Sequence, residues 1–567
     1  MKPTFLPFLI VLLLSCAARL KASKPPHIII ILGDDIGWND FSFHGSSQIP
    51  TPNIDALGYN GVILNRFYTQ AICSPSRAAL LTAKYPMRYG YQGIPLSCGE
   101  DKPLPHDIKL LPERLQQLGY KTHLIGKWHL SAARKADTPT ARGFDTHFGY
   151  WNGFIGYFNH FAYQSMEEDY NISTSWIGLD LHDGIKTQWQ YQGKYVTDLF
   201  TEKSLEVIDN HDSGKPLFLY LGHLAAHTGA NGTELGVKNL TETDLKYSYI
   251  EDPMRRRYAG VLNQLDKSVG QIVQKLKQKN MLENSIVVFL SDNGAQTIGM
   301  YKNHGSNYPL KGLKFTLLEG GVRGSAVIYS PLLTKKGYVN DKLMHITDLH
   351  TTLLKLAGGK LKWFESTDGI DQWGSISKNL PSLRTEILLN IDEKEGFSGL
   401  ISEFGRYKYL NGSYLNGIYD GSYGDSGRSP STPPYEPNLV LESDVNKAIE
   451  SLPSTSPLTR EKINTLRSAL DINLCNGKNR TEDLPCLGEC LFDLWNDPCE
   501  TENLIDQRPL ILAKMRLKLN IFLTQMIPSR NAKVDLNSNP VNCNNTWIPW
   551  LDQGGCNETL EYDLLNE

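Results

Sequence analysis

The stretch CSPSRAALLTAK opens with Cys73, Ser74, Pro75, Ser76 and Arg77 in succession. Pro75 fits the first turn of a helix, and RAALLTAK continues it with good helix formers. Cys73 then sits at a helix N-terminus, where free N–H groups and the dipole favour an anion. Arg77, one turn further in, offers a forked donor face to an oxyanion. The plain alternative is a buried, inert cysteine. The chemical reading is a nucleophile that handles anions, whose thiol would have a lowered pKa in that setting.

Two acidic pairs stand at the ends of apolar runs: Asp34 and Asp35 after HIIIILG, Asp292 and Asn293 after IVVFLS. In open α/β sheets the functional crevice lies beyond the carboxyl ends of strands, so two such strands side by side would gather four oxygen donors. Three of these are carboxylates, which repel unless a cation lies between them. Hard oxygen ligands suit Ca²⁺ or Mg²⁺ better than zinc. Each pair alone could merely cap a turn; its recurrence on two similar strands favours a metal.

More ionisable groups follow other strand-like runs. In GYKTHLIGKWH, an extended Gly126–His129 places Lys127 and His129 on one face and Trp128 on the other, which delivers a cation and an acid–base imidazole together. His223 and His227 end KPLFLYLGHLAAH; one is a general-acid candidate, the other a loop histidine. Lys311 and Lys314, in NYPLKGLKFTLLEGG, are either solvated lysines or anion-binding cations.

The elements that must position these groups are legible as alternation. HIIIILGDD, KPLFLYLGHLAAH, NSIVVFLSDNG and GSAVIYSP are short, β-branched and nearly continuous, as strands buried on both faces of a parallel sheet are. Helical patterns such as LLPERLQQLG, stopped by Gly119, and MRRRYAGVLNQLDKSVGQIVQKLKQKN lie between them. This is an α/β sandwich. After about residue 385 the texture changes: EILLNID, GLISEFGRYKYLNGS and CLFDLWND read as antiparallel strands, with a polar stretch from Ser422 to Pro437 and a helix from about Arg508 to Met526. The predicted organisation is a signal segment at 1–22, a catalytic domain at 23–385 and a smaller, cysteine-rich α+β domain at 386–567.

The N-terminal MKPTFLPFLIVLLLSCAARLKAS has the layout of a secretory signal peptide with cleavage near Ala22, and no later run is long enough to span a membrane. Sequons occur at Asn171, Asn231, Asn239, Asn411, Asn479, Asn544 and Asn557. Cys475, Cys486, Cys490, Cys499, Cys543 and Cys556 crowd the C-terminal region and read as disulfide partners in an oxidising compartment; a zinc site would want paired C-x-x-C units, which are lacking. With 57 basic against 61 acidic residues and no basic tract, nucleic acid is excluded as a natural partner. Anion recognition must come from a few placed cations.

CSPSRAALLTA resembles the first sulfatase signature, C-x-P-S-R-x-x-x-L-T-G, and GYKTHLIGKWH resembles the second, G-Y-x-T-x-x-x-G-K-W-H. The likeness runs from HIIIILGDDIGWND through SDNGAQT and LLEGGVRG to CLFDLWNDP and WIPW, and is strongest to the arylsulfatase B (N-acetylgalactosamine 4-sulfatase) branch. Ala83 departs from it, where the signature ends in Gly. The resemblance implies an alkaline-phosphatase-like fold: a large mixed, mostly parallel sheet flanked by helices, with a smaller C-terminal α+β domain containing an antiparallel sheet. It implies that a formylglycine-generating enzyme oxidises Cys73 to formylglycine in the endoplasmic reticulum. One hydroxyl of the aldehyde hydrate then attacks sulfur, the alcohol leaves, and the second hydroxyl allows sulfate to depart by elimination. By position, Asp34, Asp35, Asp292 and Asn293 resemble Ca²⁺ ligands, completed by an oxygen from residue 73. Arg77 resembles the residue that holds the diol, Lys127 and Lys314 sulfate-binding cations, His129 the base for elimination and His227 the acid to the leaving oxygen. A Cys98–Cys543 bridge is implied as well, leaving an odd cysteine among the remaining five.

The expectation is thus a secreted or lysosomal sulfuric ester hydrolase acting on a sulfated sugar, an aryl sulfate or a small sulfated metabolite. Two rivals differ in class. A phosphatase or phosphodiesterase of the same superfamily would hold two transition metals, several histidine ligands and a Ser or Thr nucleophile. A non-catalytic paralogue would bind sulfated glycans through an unconverted Cys73.

Overall fold

In the computed structural model the described residues are 24–230, 235–453, 455–470, 485–552 and 556. The signal segment, Asn231, Asn479, Asn557 and Cys475 lie outside them.

Four apolar runs form the centre of a ten-stranded sheet. They are β1 (His27–Gly33), β2 (Lys121–Lys127), β3 (Leu217–Gly222) and β4 (Ser285–Ser291). All pair in parallel, in the spatial order β4-β1-β3-β2. In β1, β3 and β4 every residue is buried, which is why these runs are continuous in apolar residues instead of alternating. The stretch GSAVIYSP forms β5 (Ala326–Tyr329), which pairs antiparallel with β4 and corrects its assignment to a parallel set. A fully buried run carries no mark of its direction, so only the connection decides it.

Helices cover both faces. The helix α1 (Cys73–Thr82) starts at the predicted cysteine, and α2 (Pro253–Gln278) is the longest in the chain's described part. One apolar cluster joins α2 to alternate residues of the central strands, such as Ile29, Ile31, Leu219 and Val287. The opposite set, Ile28, Ile30, Phe218 and Val288, packs with Ala78 to Leu81 of α1. Side chains of a strand alternate between faces, and the two clusters are those two faces.

A second, four-stranded antiparallel sheet is made of β6 (Ile387–Asp392), β7 (Phe397–Ser402), β8 (Tyr407–Asn411) and β9 (Glu489–Asp493). The helix α3 (Pro509–Leu523) packs on it through Leu512, Met515 and Leu519. Between β8 and β9 the chain returns to the first core, to which Val440, Val445 and Ile463 belong. No helix among the described residues is long and apolar enough to cross a membrane.

Between described residues two bridges are formed, Cys486–Cys490 and Cys543–Cys556, and Cys499 is also disulfide-bonded. The implied Cys98–Cys543 pairing is therefore corrected: Cys543 takes a partner 13 residues away in its own segment. Cys98 stays a buried thiol, its Sγ facing the Tyr163 carbonyl at 3.6 Å.

Candidate active site

The C-terminal ends of β1, β2, β3 and β4 open on one edge of the sheet, and backbone hydrogen bonds continue past the strands to lock the turns there. The Asp34 N–H donates to the Ala225 carbonyl and the Ala226 N–H to the Asp34 carbonyl; His223 and Asp292 donate to Leu32 and Gly33. Asp34, Asp35, Asp292 and Asn293 are thereby brought together, all fully buried. Gly126 and Gly222 let β2 and β3 approach at this edge: a Cβ on Gly126 would stand 2.0 Å from the Gly222 carbonyl oxygen.

Three cations meet these carboxylates. Lys127 Nζ lies 2.7 Å from Asp34 Oδ2, and Lys314 Nζ lies 2.7 Å from Asp35 Oδ2. Arg77 donates from Nε and Nη2 to Asp292 Oδ2 at 3.1 and 2.9 Å. Arg77 is on α1 one turn beyond Cys73, as the helical spacing predicts. Burial raises the Asp292 carboxyl above its usual range, Asp34 adds to the shift, and Arg77 opposes it. For Lys314 burial alone would lower the ammonium, but Asp35, Cys73 and Asp34 reverse this and the shift is upward.

Cys73 is the first residue of α1 and is buried. Its thiol is pushed up by burial, which outweighs the help of Lys127 and Lys314. The expectation of a lowered thiol pKa is thus corrected: desolvation of a thiolate costs more than the nearby cations return when Asp34 and Asp292 stand beside them.

The two site histidines have defined tautomers because each faces a carbonyl, which can only accept. His129 Nε2 lies 2.8 Å from the Leu96 carbonyl oxygen, so Nε2 carries the proton and Nδ1 the lone pair. That Nδ1 is buried without a hydrogen-bond partner among the described residues. His129 also has φ 55°, so the segment is not extended to its end; the backbone turns there, yet Lys127 and His129 still reach the same site. His227 Nδ1 faces the Thr228 carbonyl at 2.7 Å, leaving Nε2 to accept from Lys314 Nζ at 3.3 Å. Burial pushes the His227 imidazole down to about 3, Asp35 opposes, and Lys314 and Lys127 add to the fall. His223 instead bonds Ser268 Oγ and stands apart from this group.

A cavity of about 50 Å³ is lined by Cys73, His129, His227 and Lys314. Its walls also contain residues that sequence reasoning could not place, within the segment from Trp151 to Trp176: Gly153 and Phe154 in a loop, and Tyr163 and Gln164 in the short strand Phe161–Ser165. The buried Asp180 holds that loop, accepting from the Trp151 N–H at 3.1 Å and from the Asn152 N–H and Nδ2 at 2.9 Å. Gly153 lies over His129, where a Cβ would stand 3.1 Å from the imidazole. No periodicity marks such a loop; the only signal is its density of aromatic residues.

The donors fit a hard divalent cation. Asp34 Oδ1 and Asn293 Oδ1 are both buried oxygens without a hydrogen-bond partner among the described residues, although buried polar atoms are nearly always paired. Oxygens left bare beside carboxylates are what a Ca²⁺ or Mg²⁺ ligand set provides. Asp34, Asp35 and His227 also each present a ligand atom within 4.8 Å of the others.

The protein-family model described as "Sulfatase" matches residues 26–359. Arylsulfatase J of Mus musculus is 34% identical over 547 residues, spanning 94% of this chain and 82% of the relative. The N-acetylgalactosamine-6-sulfatase of Mus musculus is 32% identical over 375 residues, spanning 64% and 68%. Among solved structures, Ps i-CgsB in complex with k-i-k-neocarrahexaose superposes with a TM-score of 0.66 at 24% identity, over 90% of this chain and 95% of that one. At that identity the likeness concerns the fold.

Proposed function

The chain belongs to the sulfatase family, and from that premise we propose that it is a Ca²⁺-dependent, formylglycine-bearing hydrolase of a sulfated sugar, with arylsulfatase B-like specificity. One observation carries the reading: Cys73, His129, His227 and Lys314 line a single cavity, directly in front of the carboxylate cluster.

Charge supports it. Asp34, Asp35 and Asp292 are balanced by Arg77, Lys127 and Lys314, so a divalent ion would give the cluster a net charge of about +2 and favour an oxyanion in the cavity. Asp34, Asp35, Asp292 and Asn293 would hold that ion, which when bound polarises oxygen and offsets sulfate charge. Cys73 stands where formylglycine would be made, and the hydrated aldehyde would supply the paired hydroxyls that a thiol lacks.

The chain's own groups divide the remaining work. Arg77 fixes the Asp292 carboxylate by two bonds to one oxygen. Lys127 and Lys314 supply positive charge beside the sulfate position. His129 Nδ1, its lone pair directed by the Nε2–Leu96 bond, accepts a proton from the residue-73 group. The proton for the leaving oxygen is held on the Lys314 Nζ and His227 Nε2 pair, and Tyr157 steadies that histidine by donating to its carbonyl at 2.8 Å. The signal segment and sequons support a secretory route, to the lysosome or the exterior.

The test combines mass and selectivity. Protein secreted from a host that makes formylglycine should carry the aldehyde mass at residue 73 and cleave 4-nitrophenyl sulfate well above 4-nitrophenyl phosphate. An intact thiol in that material would support a glycan-binding paralogue, and phosphate preference would support a phosphatase.

A further inference from the structure

Between Asn293 and Lys314 the chain leaves the site and comes back. Residues 298–302 are exposed, yet Asn303, directly after them, is completely buried. A buried carboxamide costs desolvation unless its donors and acceptor are used, and those of Asn303 are used on three different segments. Its Nδ2 donates to the Asp35 carbonyl at 2.7 Å, just beyond β1, and to the Ala226 carbonyl at 3.0 Å, just beyond β3. Its Oδ1 accepts from the Gly305 N–H of its own loop at 3.0 Å.

Both carbonyls adjoin side chains of the site. The Asp35 carbonyl belongs to the peptide that follows Asp35, a residue with a left-handed φ of 55°, which is uncommon outside glycine. From the other side Asp292 Oδ1 holds the Asp35 N–H at 3.2 Å. The Ala226 carbonyl belongs to the peptide that leads into His227. The side chains anchored in this way converge: His227 Nε2 lies 3.4 Å from Asp35 Oδ2, and Lys314 Nζ meets them at 3.3 and 2.7 Å. Asn303 thus ties together the backbones under a ligand candidate and an acid candidate while standing outside the cavity wall. Closing the loop does not need its side chain. The Asn303 N–H donates to the Gln296 carbonyl at 2.8 Å, and Thr297 Oγ1 donates to the Gly305 carbonyl at 2.7 Å.

We propose that Asn303 is a positioning residue that sets the separation of Asp35 and His227, and through it the affinity for the divalent ion and the rate of the chemical step; this rests on the Ca²⁺-dependent sulfatase reading above. Removing its two donors leaves two buried carbonyls unpaired and frees the Asp35 and Ala226 peptides to rotate. Ligand and acid then drift apart. Loss of an outer partner of a metal ligand changes affinity or activity by about 10- to 100-fold. A residue that only stabilises the loop behaves differently: its loss lowers the melting temperature of ion-free and ion-loaded protein alike and leaves the affinity unchanged.

The experiment uses the secreted, formylglycine-bearing protein and its Asn303→Ala and Asn303→Ser variants, the second retaining one donor in case the first does not fold. Melting temperature is measured after chelation and across a Ca²⁺ titration, and kcat and KM for 4-nitrophenyl sulfate at saturating Ca²⁺. The Ca²⁺ midpoint should rise about tenfold or more in Asn303→Ala and by less in Asn303→Ser. At saturation kcat should fall by about 10- to 100-fold in Asn303→Ala, with KM within about threefold of wild type. A folded variant with an unchanged Ca²⁺ midpoint would overturn the proposal, whatever its melting temperature. So would a kcat within about twofold of wild type in Asn303→Ala, or failure of both variants to fold, which would make the role structural. A wild type whose melting temperature ignores Ca²⁺, or which does not cleave the sulfate, would instead overturn the reading beneath the proposal.

Discussion

Two of the buried charge clusters among the described residues are built to different ends. At the sheet edge, Asp34, Asp35 and Asp292 face Arg77, Lys127 and Lys314. Beneath the C-terminal sheet, Lys408 of β8 stands between Glu319 at 3.0 Å and Glu500 at 2.8 Å. Tyr68 Oη donates to Glu319 Oε2 at 3.0 Å, and the Glu319 N–H donates to Glu500 Oε2 at 2.7 Å. The second cluster joins the two sheets, and its one oxygen outside a hydrogen bond, Glu500 Oε1, faces the Lys408 ammonium at 2.8 Å. The first leaves Asp34 Oδ1, Asn293 Oδ1 and His129 Nδ1 without partners. Ionic burial alone therefore does not mark function; bare ligand atoms beside a cavity do.

The largest expected effect lies in the first cluster. Cys73→Ala should lower 4-nitrophenyl sulfate turnover by about 10⁴-fold or more, with the melting temperature within a few degrees of wild type, because a small buried side chain is exchanged for a smaller one without stranding a charge. Substantial activity in that variant would remove residue 73 from the chemistry and with it the contrast between the clusters.

Lys408→Met inverts the pattern. It leaves two acids facing one another in a dry site, where loss of one partner of a buried ion pair costs about 3–5 kcal/mol. Glu500 is pushed up to about 7 by burial, with Lys408 opposing and Glu319 adding, so partial protonation will soften that cost at acidic pH. Urea denaturation at neutral pH should show the loss, while kcat/KM of the folded variant stays within about threefold. An unchanged unfolding midpoint would mean that this cluster has no structural role.

A further buried acid sharpens the comparison by having hydrogen bonds but no salt-bridge partner among the described residues. Asp266 of α2 accepts from the Asn53 N–H and Nδ2 and from the Ile54 N–H. Burial pushes it up to about 7, these donors opposing. The native state thus keeps a proton that the unfolded chain releases above about pH 4. Asp266 contributes fully below that pH, and the contribution is lost as pH rises toward 7. Asp266→Asn cannot ionise, so the variant should gain about 3 kcal/mol relative to wild type between pH 4.5 and 7.5. Denaturation curves of both proteins at the two pH values measure this, and a constant difference would refute it.

These contrasts explain what could be read from the chain. β1 and β4 are apolar to their last residues and then break into Asp34–Asp35 and Asp292–Asn293, so strand ends and ligands were legible together. Cys73 and Arg77 were legible because helical spacing fixes their relation. The antiparallel direction of β5 was not, since a buried run is the same in either sense. Phe154 sits in a loop whose course depends on a distant anchor, Asp180, and no local pattern reports it. The raised thiol of Cys73 was hidden for a similar reason: helix position is local, but desolvation depends on the whole core closing over it.

The smallest expected effect concerns Ala83, where the family signature has glycine. Ala83 ends α1 with φ 58°, and its N–H donates to the Ala79 carbonyl. A left-handed alanine costs about 1 kcal/mol, which Ala83→Gly would relieve. The methyl group is completely buried, however, and losing it forfeits about 0.8 kcal/mol, while glycine also adds freedom to the unfolded chain. The terms nearly cancel, so stability should change by less than about 1 kcal/mol. The residue lies at the far end of α1 from Cys73, so the fraction of residue 73 converted to aldehyde, measured by peptide mass, should be unchanged. A clear rise in conversion would instead show that the maturing enzyme reads the signature through its last position.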